Sequence, residues 1–195
     1  PGVPFRHFDL VIPPRHDNCA GPNVFPTRGA LHRVTAQRLA EAAAHFAPVL
    51  AHLPRPIVAV LIGGSNKIYR MTPRTLRDLA DKLAAMSRAT GAGLAITLSR
   101  RSGAEAEAIL RERLAGIPAV IWNGGDNPYF AYLGLADYIV VTADSVSMVS
   151  EACSTGKPVY VVDLEGGSEK FRRFHEQLRA DGITREFAGV VENWN

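Results

Sequence analysis

The sequence predicts an α/β fold: a Rossmann-like parallel sheet with helices on both faces. Three observations predict it. Short apolar runs rich in Val and Ile recur from residue 57 onward, a helical pattern follows each one, and glycine or helix-capping residues mark the junctions. Strands that alternate with helices pair in parallel through right-handed crossovers.

The elements follow in order. Phe8 to Ile12 is a short strand candidate, Val24-Phe25 a second extended piece, and neither can bury an apolar strand on both faces by itself. From Thr35, Leu39, Ala43, Phe46 and Leu50 fall at helical spacing, and Pro54 and Pro56 close the segment. The reading thus divides the chain into 1–34, a remnant of a preceding domain with its connection, and 35–195, the main domain. Strand Ile57 to Ile62 comes next, then a helix from Pro73, a good first helical residue after Thr72, with Leu76, Leu79, Ala80, Leu83 and Met86 as its apolar stripe. Strand Leu94 to Leu98 leads to a helix from Gly103, where Ser102 and Glu105 form a capping box. Strand Ala119 to Trp122, a short helix near Pro128, strand Tyr138 to Val141 and a helix from Ser145 with Asp144 as N-cap follow. Strand Val159 to Val162 and a helix from Glu169 capped by Ser168 complete the pattern.

Composition narrows the function classes. With 195 residues, 47% hydrophobic and 21% charged, the chain is a folded domain and not a disordered segment. The net charge of +3 comes from scattered residues, which excludes a dedicated nucleic-acid reader. Cys19 and Cys153 lack any paired spacing, and His16, Asp17 and Cys19 match no ligand pattern, so neither a disulfide framework nor a metal is expected. No apolar run approaches the ~20 residues that span a bilayer. The reading is a cytoplasmic protein, with peripheral membrane association left open. A start at Pro1 without Met reads as a fragment.

The loops at the strand ends carry the chemistry. Thr142, Asp144, Ser145 and Ser147 crowd the start of a helix, whose first amides and positive dipole end suit a phosphate; the same residues also describe a well-capped helix. Gly63, Gly64, Ser65 and Asn66 follow the first strand, and a glycine pair there lets the backbone approach a ligand. In parallel sheets such loops line one crevice. Gly124-Gly125 and Gly166-Gly167 repeat the feature, and close approach to a ligand accounts for three such pairs. Arg100 and Arg101 could fork onto a diphosphate, or equally form a surface pair beside a capped helix. Glu151, two turns beyond Asp144, could reach a ribose beside that diphosphate, or make only a solvated helix contact. A dinucleotide fingerprint, a Walker A loop and a nucleophile elbow are all absent.

On these segments the chain resembles the mitochondrial-fission-protein family of plants and its bacterial relatives, often labelled predicted nucleoside-diphosphate-sugar epimerases. The carrying residues are Phe8-Asp9-Leu10-Val11-Ile12, Thr27 to Val34, Leu61 to Gly64, Ser99-Arg100-Arg101, Asn127-Pro128-Tyr129, Thr142 to Glu151 and Thr155 to Val159. The resemblance implies the C-terminal domain of a GT-B-like two-domain protein, with a nucleoside-diphosphate sugar as ligand and no cofactor. It assigns Glu151 to the ribose, Trp122, Asn123, Asn127 and Tyr129 to the base, and Gly167 and Lys170 to the sugar. The activity implied is that of a glycosyltransferase or epimerase. The plant members, which are adaptors recruiting a dynamin-related protein, imply a non-catalytic alternative.

Overall fold

The computed structural model describes residues 3–122 and 124–194. Along the chain the strands are β1 (Ile57–Ile62), β2 (Tyr69–Arg70), β3 (Gly93–Leu98), β4 (Ala119–Trp122), β5 (Tyr138–Thr142), β6 (Val159–Val162), β7 (Glu165–Gly166) and β8 (Thr184–Glu186). The helices are α1 (Ala36–Leu50), α2 (Pro73–Thr90), α3 (Gly103–Arg113), α4 (Tyr129–Leu135), α5 (Val146–Cys153) and α6 (Glu169–Ala180). Six strands form one parallel sheet in the order β4-β3-β1-β5-β6-β8, while β2 and β7 pair antiparallel as a separate ribbon. The sheet grows from β1 through β3 to β4, then resumes at β5 on the other side of β1. The β1/β5 junction is therefore the topological switch point, where doubly wound sheets open a crevice at their carboxyl edge.

All six residues of β1 are buried because helices cover both faces. Ala59 and Leu61 enter a core shared with α4, α5 and α6, and Val58, Val60 and Ile62 enter one shared with α2 and α3. Thr35, Thr72 and Ser168 cap α1, α2 and α6 by accepting a hydrogen bond from the amide three residues on. Two caps differ from expectation. Ser145, not Asp144, caps α5, accepting from the Met148 amide at 3.3 Å. Ser102 caps nothing, because its hydroxyl donates to the Gly63 carbonyl. No helix among the described residues is long and apolar enough to cross a membrane.

The expected strands at Phe8 to Ile12 and Val24-Phe25 reduce to two isolated parallel bridges, Val11 with Val24 and Pro14 with Thr27. Prolines directly after both pieces, Pro13 and Pro14 after the first and Pro26 after the second, limit the ladder, since each lacks an amide donor. Residues 5–34 form an arm outside the sheet. Its anchors include the Ala30 amide, which donates to Ser150 Oγ on α5 at 2.9 Å, and Asp17, which pairs with Lys170 on α6. The Rossmann-like half of the expected architecture is present; the second domain of a GT-B pair is not among the described residues.

Candidate functional site

The switch point holds a network rather than an open cradle. Gly63 donates its amide to Thr142 Oγ1 at 2.8 Å, and that hydroxyl donates onward to Asp144 Oδ1 at 2.6 Å. The Gly64 amide reaches Asp144 Oδ2 at 3.1 Å and Arg101 Nη2 reaches the same oxygen at 2.7 Å. The Asp144 side chain is wholly inaccessible to water, whereas Arg101 is 41% exposed. A buried carboxylate held by three donors satisfies them as a phosphate would. Asn66 closes the ring, its Nδ2 donating to the Asp144 carbonyl at 3.2 Å and its Oδ1 accepting from the amides of Ile68 and Tyr69. Ser65 Oγ accepts from the Met71 amide at 3.0 Å.

The glycine pairs have partners inside the protein. A Cβ on Gly63 would land on the Asp144 carboxylate, and one on Gly64 would lie 2.6 Å from the Arg101 carbonyl. Gly124 and Gly125 meet no atom but adopt φ of 135° and 77°, and Gly166 combines φ of 97° with the Ile68 carbonyl. Turn conformation and packing of the chain against itself thus account for all three pairs, where a ligand was expected to.

The remaining expected residues lie along the same sheet edge. Ser147 and Arg100 are exposed, and the first-turn amides of α5 ahead of Met148 fall outside the helix ladder. Glu151 Oε2 accepts from the Tyr129 hydroxyl at 2.6 Å, so the expected ribose and base residues are joined to each other. Burial and that bond together push the Tyr129 hydroxyl well above its ordinary pKa. Trp122 Nε1 donates to the Asp126 carbonyl and Asn127 Oδ1 accepts from the Tyr129 amide, both at 3.0 Å. Asn123 lies outside the described residues. The two expected sugar residues part company. Gly167 lines a cavity of about 450 Å³ with Tyr69, Asp163, His175 and Arg179, while Lys170 pairs with Asp17 of the arm.

Three roles lay outside the sequence reading. Lys157 Nζ donates to the carbonyls of Leu133 and Gly134, both at 2.6 Å, and so neutralises the end of α4. His175 on α6 is 3% exposed, and its Nε2 lies 2.9 Å from the Ala143 carbonyl next to the switch point. His16 on the arm is 4% exposed. A helical stretch of mixed polarity gives no signal for a buried histidine. The Thr155-Gly156-Lys157-Pro158 turn, placed after a helix stop, was the one available hint for Lys157.

Comparison with known proteins places these features in a family. The mitochondrial fission protein ELM1 of Arabidopsis thaliana is 36% identical over 218 residues, covering 97% of this chain and 51% of that protein. The uncharacterized protein RP120 of Rickettsia prowazekii is 28% identical over 224 residues, covering 96% and 63%. The chain therefore spans about half to under two thirds of the curated relatives it matches. Among solved structures, the YcaC gene product of Escherichia coli aligns at a TM-score of 0.44 and 13% identity over 68% of this chain and 76% of that one, too loosely to carry an argument. The family model described as mitochondrial fission ELM1 matches residues 1–195, and the chain belongs to that family.

Proposed function

We propose that the chain is a non-catalytic interaction module, an adaptor-type relative of the plant mitochondrial fission factors that works from the cytoplasm. The Asp144 carboxylate carries this reading. It already takes the Gly64 amide, the Thr142 hydroxyl and the Arg101 guanidinium that a diphosphate at this edge would need. A phosphate brought to Gly63 and Gly64 would meet that carboxylate at close range, a repulsion of about 4 kcal/mol at ~4 Å in a surface-like dielectric. Calorimetric titration of the full-length protein with nucleotides and nucleoside-diphosphate sugars, followed by a turnover assay, tests the proposal. Neither saturable heat nor turnover is expected; turnover of any nucleotide sugar would overturn it.

A second reading, a nucleotide-sugar-dependent glycosyltransferase or epimerase without a cofactor, has one specific support. Arg100, Ser147 and the first turn of α5 are accessible at the edge where Glu151 and Tyr129 sit together. In that reading the diphosphate lies over the α5 N-terminus, Glu151 binds the ribose, and Trp122, Asn127 and Tyr129 frame the base. Saturable binding that Glu151→Ala weakens about tenfold or more, a loss of ~1.4 kcal/mol, would favour it over the adaptor.

A further inference from the structure

We propose that the arm is latched to the domain by two histidines, His16 and His175, that must both be uncharged, and that mild acid opens the latch.

The arm's 3-10 turn, Arg15–Asp17, inserts His16 against α6. Its ring lies edge-on to Phe174 with centroids 4.9 Å apart, and His175 packs against Phe174 in the same way at 5.0 Å. One phenyl ring therefore carries a histidine from each side of the arm-to-domain contact. Neither imidazole has room for a second proton. His175 Nε2 donates to the Ala143 carbonyl, which fixes the proton there and leaves Nδ1 as a lone pair; that nitrogen is buried with no partner among the described residues. His16 Nδ1 is likewise buried without a partner, and its Nε2 stands 3.8 Å from Asp17 Oδ1, beyond hydrogen-bond reach. A further N–H on either ring would point at no acceptor, a costly arrangement inside a protein.

The surrounding charges are of both signs. His16 faces Asp17 on its own turn, and Lys170, Arg173 and His175 on α6. His175 faces Asp163 at the end of β6 and Arg179 on its own helix, with Tyr69, Glu169 and Arg172 around the adjoining cavity. Asp17 and Asp163 favour charged rings while Lys170, Arg173 and Arg179 oppose them, so burial and the missing acceptors, rather than net charge, keep both rings neutral. Lys170 and Arg173 already serve the arm, through the pair with Asp17 and a 3.5 Å bond to the His16 carbonyl. Two more positive charges would act against those contacts.

The sign follows. Burial, the largest cause in both cases, holds the two histidines below the ordinary value of 6.5 while the arm is docked. The released state binds protons first. Docking is therefore complete above that ordinary value and weakens as pH falls below it, by up to about tenfold per pH unit for each histidine.

Cys153 reports the state of the latch. It is half-buried in a cavity that it lines together with arm residues Thr27 to His32, and burial pushes its thiol up to about 12. Labelling with a disulfide reagent that reacts in acid, dithiodipyridine, can be followed at the Cys153 peptide by mass spectrometry, relative to the unfolded chain at each pH. Between pH 7.5 and 5.5 the relative rate is expected to rise at least tenfold while circular dichroism of the domain stays native. In the double variant His16→Phe/His175→Gln, which cannot take up these protons, the rise should vanish. A pH-independent rate in the wild type, an unchanged rise in the double variant, or loss of the whole fold together with labelling would overturn the proposal. Ring-proton resonances of His16 and His175 in the wild-type chain check it without a variant: titration of both at or above 6.5 would equally end it.

Discussion

Asp144 joins three segments that the sequence keeps far apart. Its partner Arg101 is 43 residues away, and the Gly64 amide 80. Spacing marks it as a helix-start carboxylate but cannot reveal a buried ion pair, because that pairing exists only once β1, β3 and β5 are side by side. Asp144→Asn keeps an acceptor yet turns an amide toward a donor and leaves Arg101 without its counter-charge. It is expected to lower stability by about 2–4 kcal/mol in urea denaturation. Arg101→Met should cost at least as much, about 3–5 kcal/mol, since it leaves the wholly buried Asp144 carboxylate without its counter-charge. Glu151 also gains a structural role. Its bond to Tyr129 means that Glu151→Ala and Tyr129→Phe should each cost about 1 kcal/mol or slightly more, and a double-mutant cycle should show them coupled. Additive losses would assign the Glu151 cost to something other than this bond.

At the level of the element, the regular part of the chain was the legible part. The order of the longer strands and helices from β1 to α6 follows from period and punctuation because β1, β3, β5 and β6 are largely buried on both faces, the edge strand β4 is half-buried, and each helix buries one face. The short pieces β2, β7 and β8 were not legible. Two or three residues carry no period, and their pairing is set by neighbours already in place. Helix contacts were invisible for the same reason. On α4, Gly134 lies under α1 so closely that a Cβ would stand 2.9 Å from the Leu39 carbonyl. Gly134→Ala therefore should separate the two helices and cost about 1–3 kcal/mol despite its better helix propensity. Thermal unfolding measures the loss; a stabilised variant would show that the helices slide apart freely.

Across the whole molecule, stability is expected to be graded outward from the switch point. The central pair β1 and β5 is enclosed on both faces, whereas the arm has two bridges and a few anchors. Amides of Val60 and Val140 should exchange with solvent only through global unfolding, and those of Val11 and Phe25 many times faster. Uniform protection of arm and sheet in a hydrogen-exchange experiment would contradict this. The arm is also where sequence reading was weakest, since its strand-like residues show apolar alternation but lack neighbours to complete a ladder. Of the candidate site, the positions at the sheet edge were legible from loop chemistry. Their mutual satisfaction was not, because donors in sequence do not reveal which acceptor reaches them first.

The seat of the arm on α5 has a consequence for how the family can vary. Gly29 lies so close to Ser150 that a Cβ would collide with its side chain, although the backbone at Gly29 lies outside the left-handed region and would itself accept alanine. Position 29 is therefore restricted by what stands at 150 and by nothing local. Substitutions at the two sites should be inherited together: Gly29→Ala alone ought to dislodge the arm, and Ser150→Gly in the same chain ought to restore it as a second-site suppressor, even with the Ala30 amide bond forgone. In a collection of homologous sequences the two positions would then behave as a single locus, with bulk on one side tolerated only where it is missing on the other.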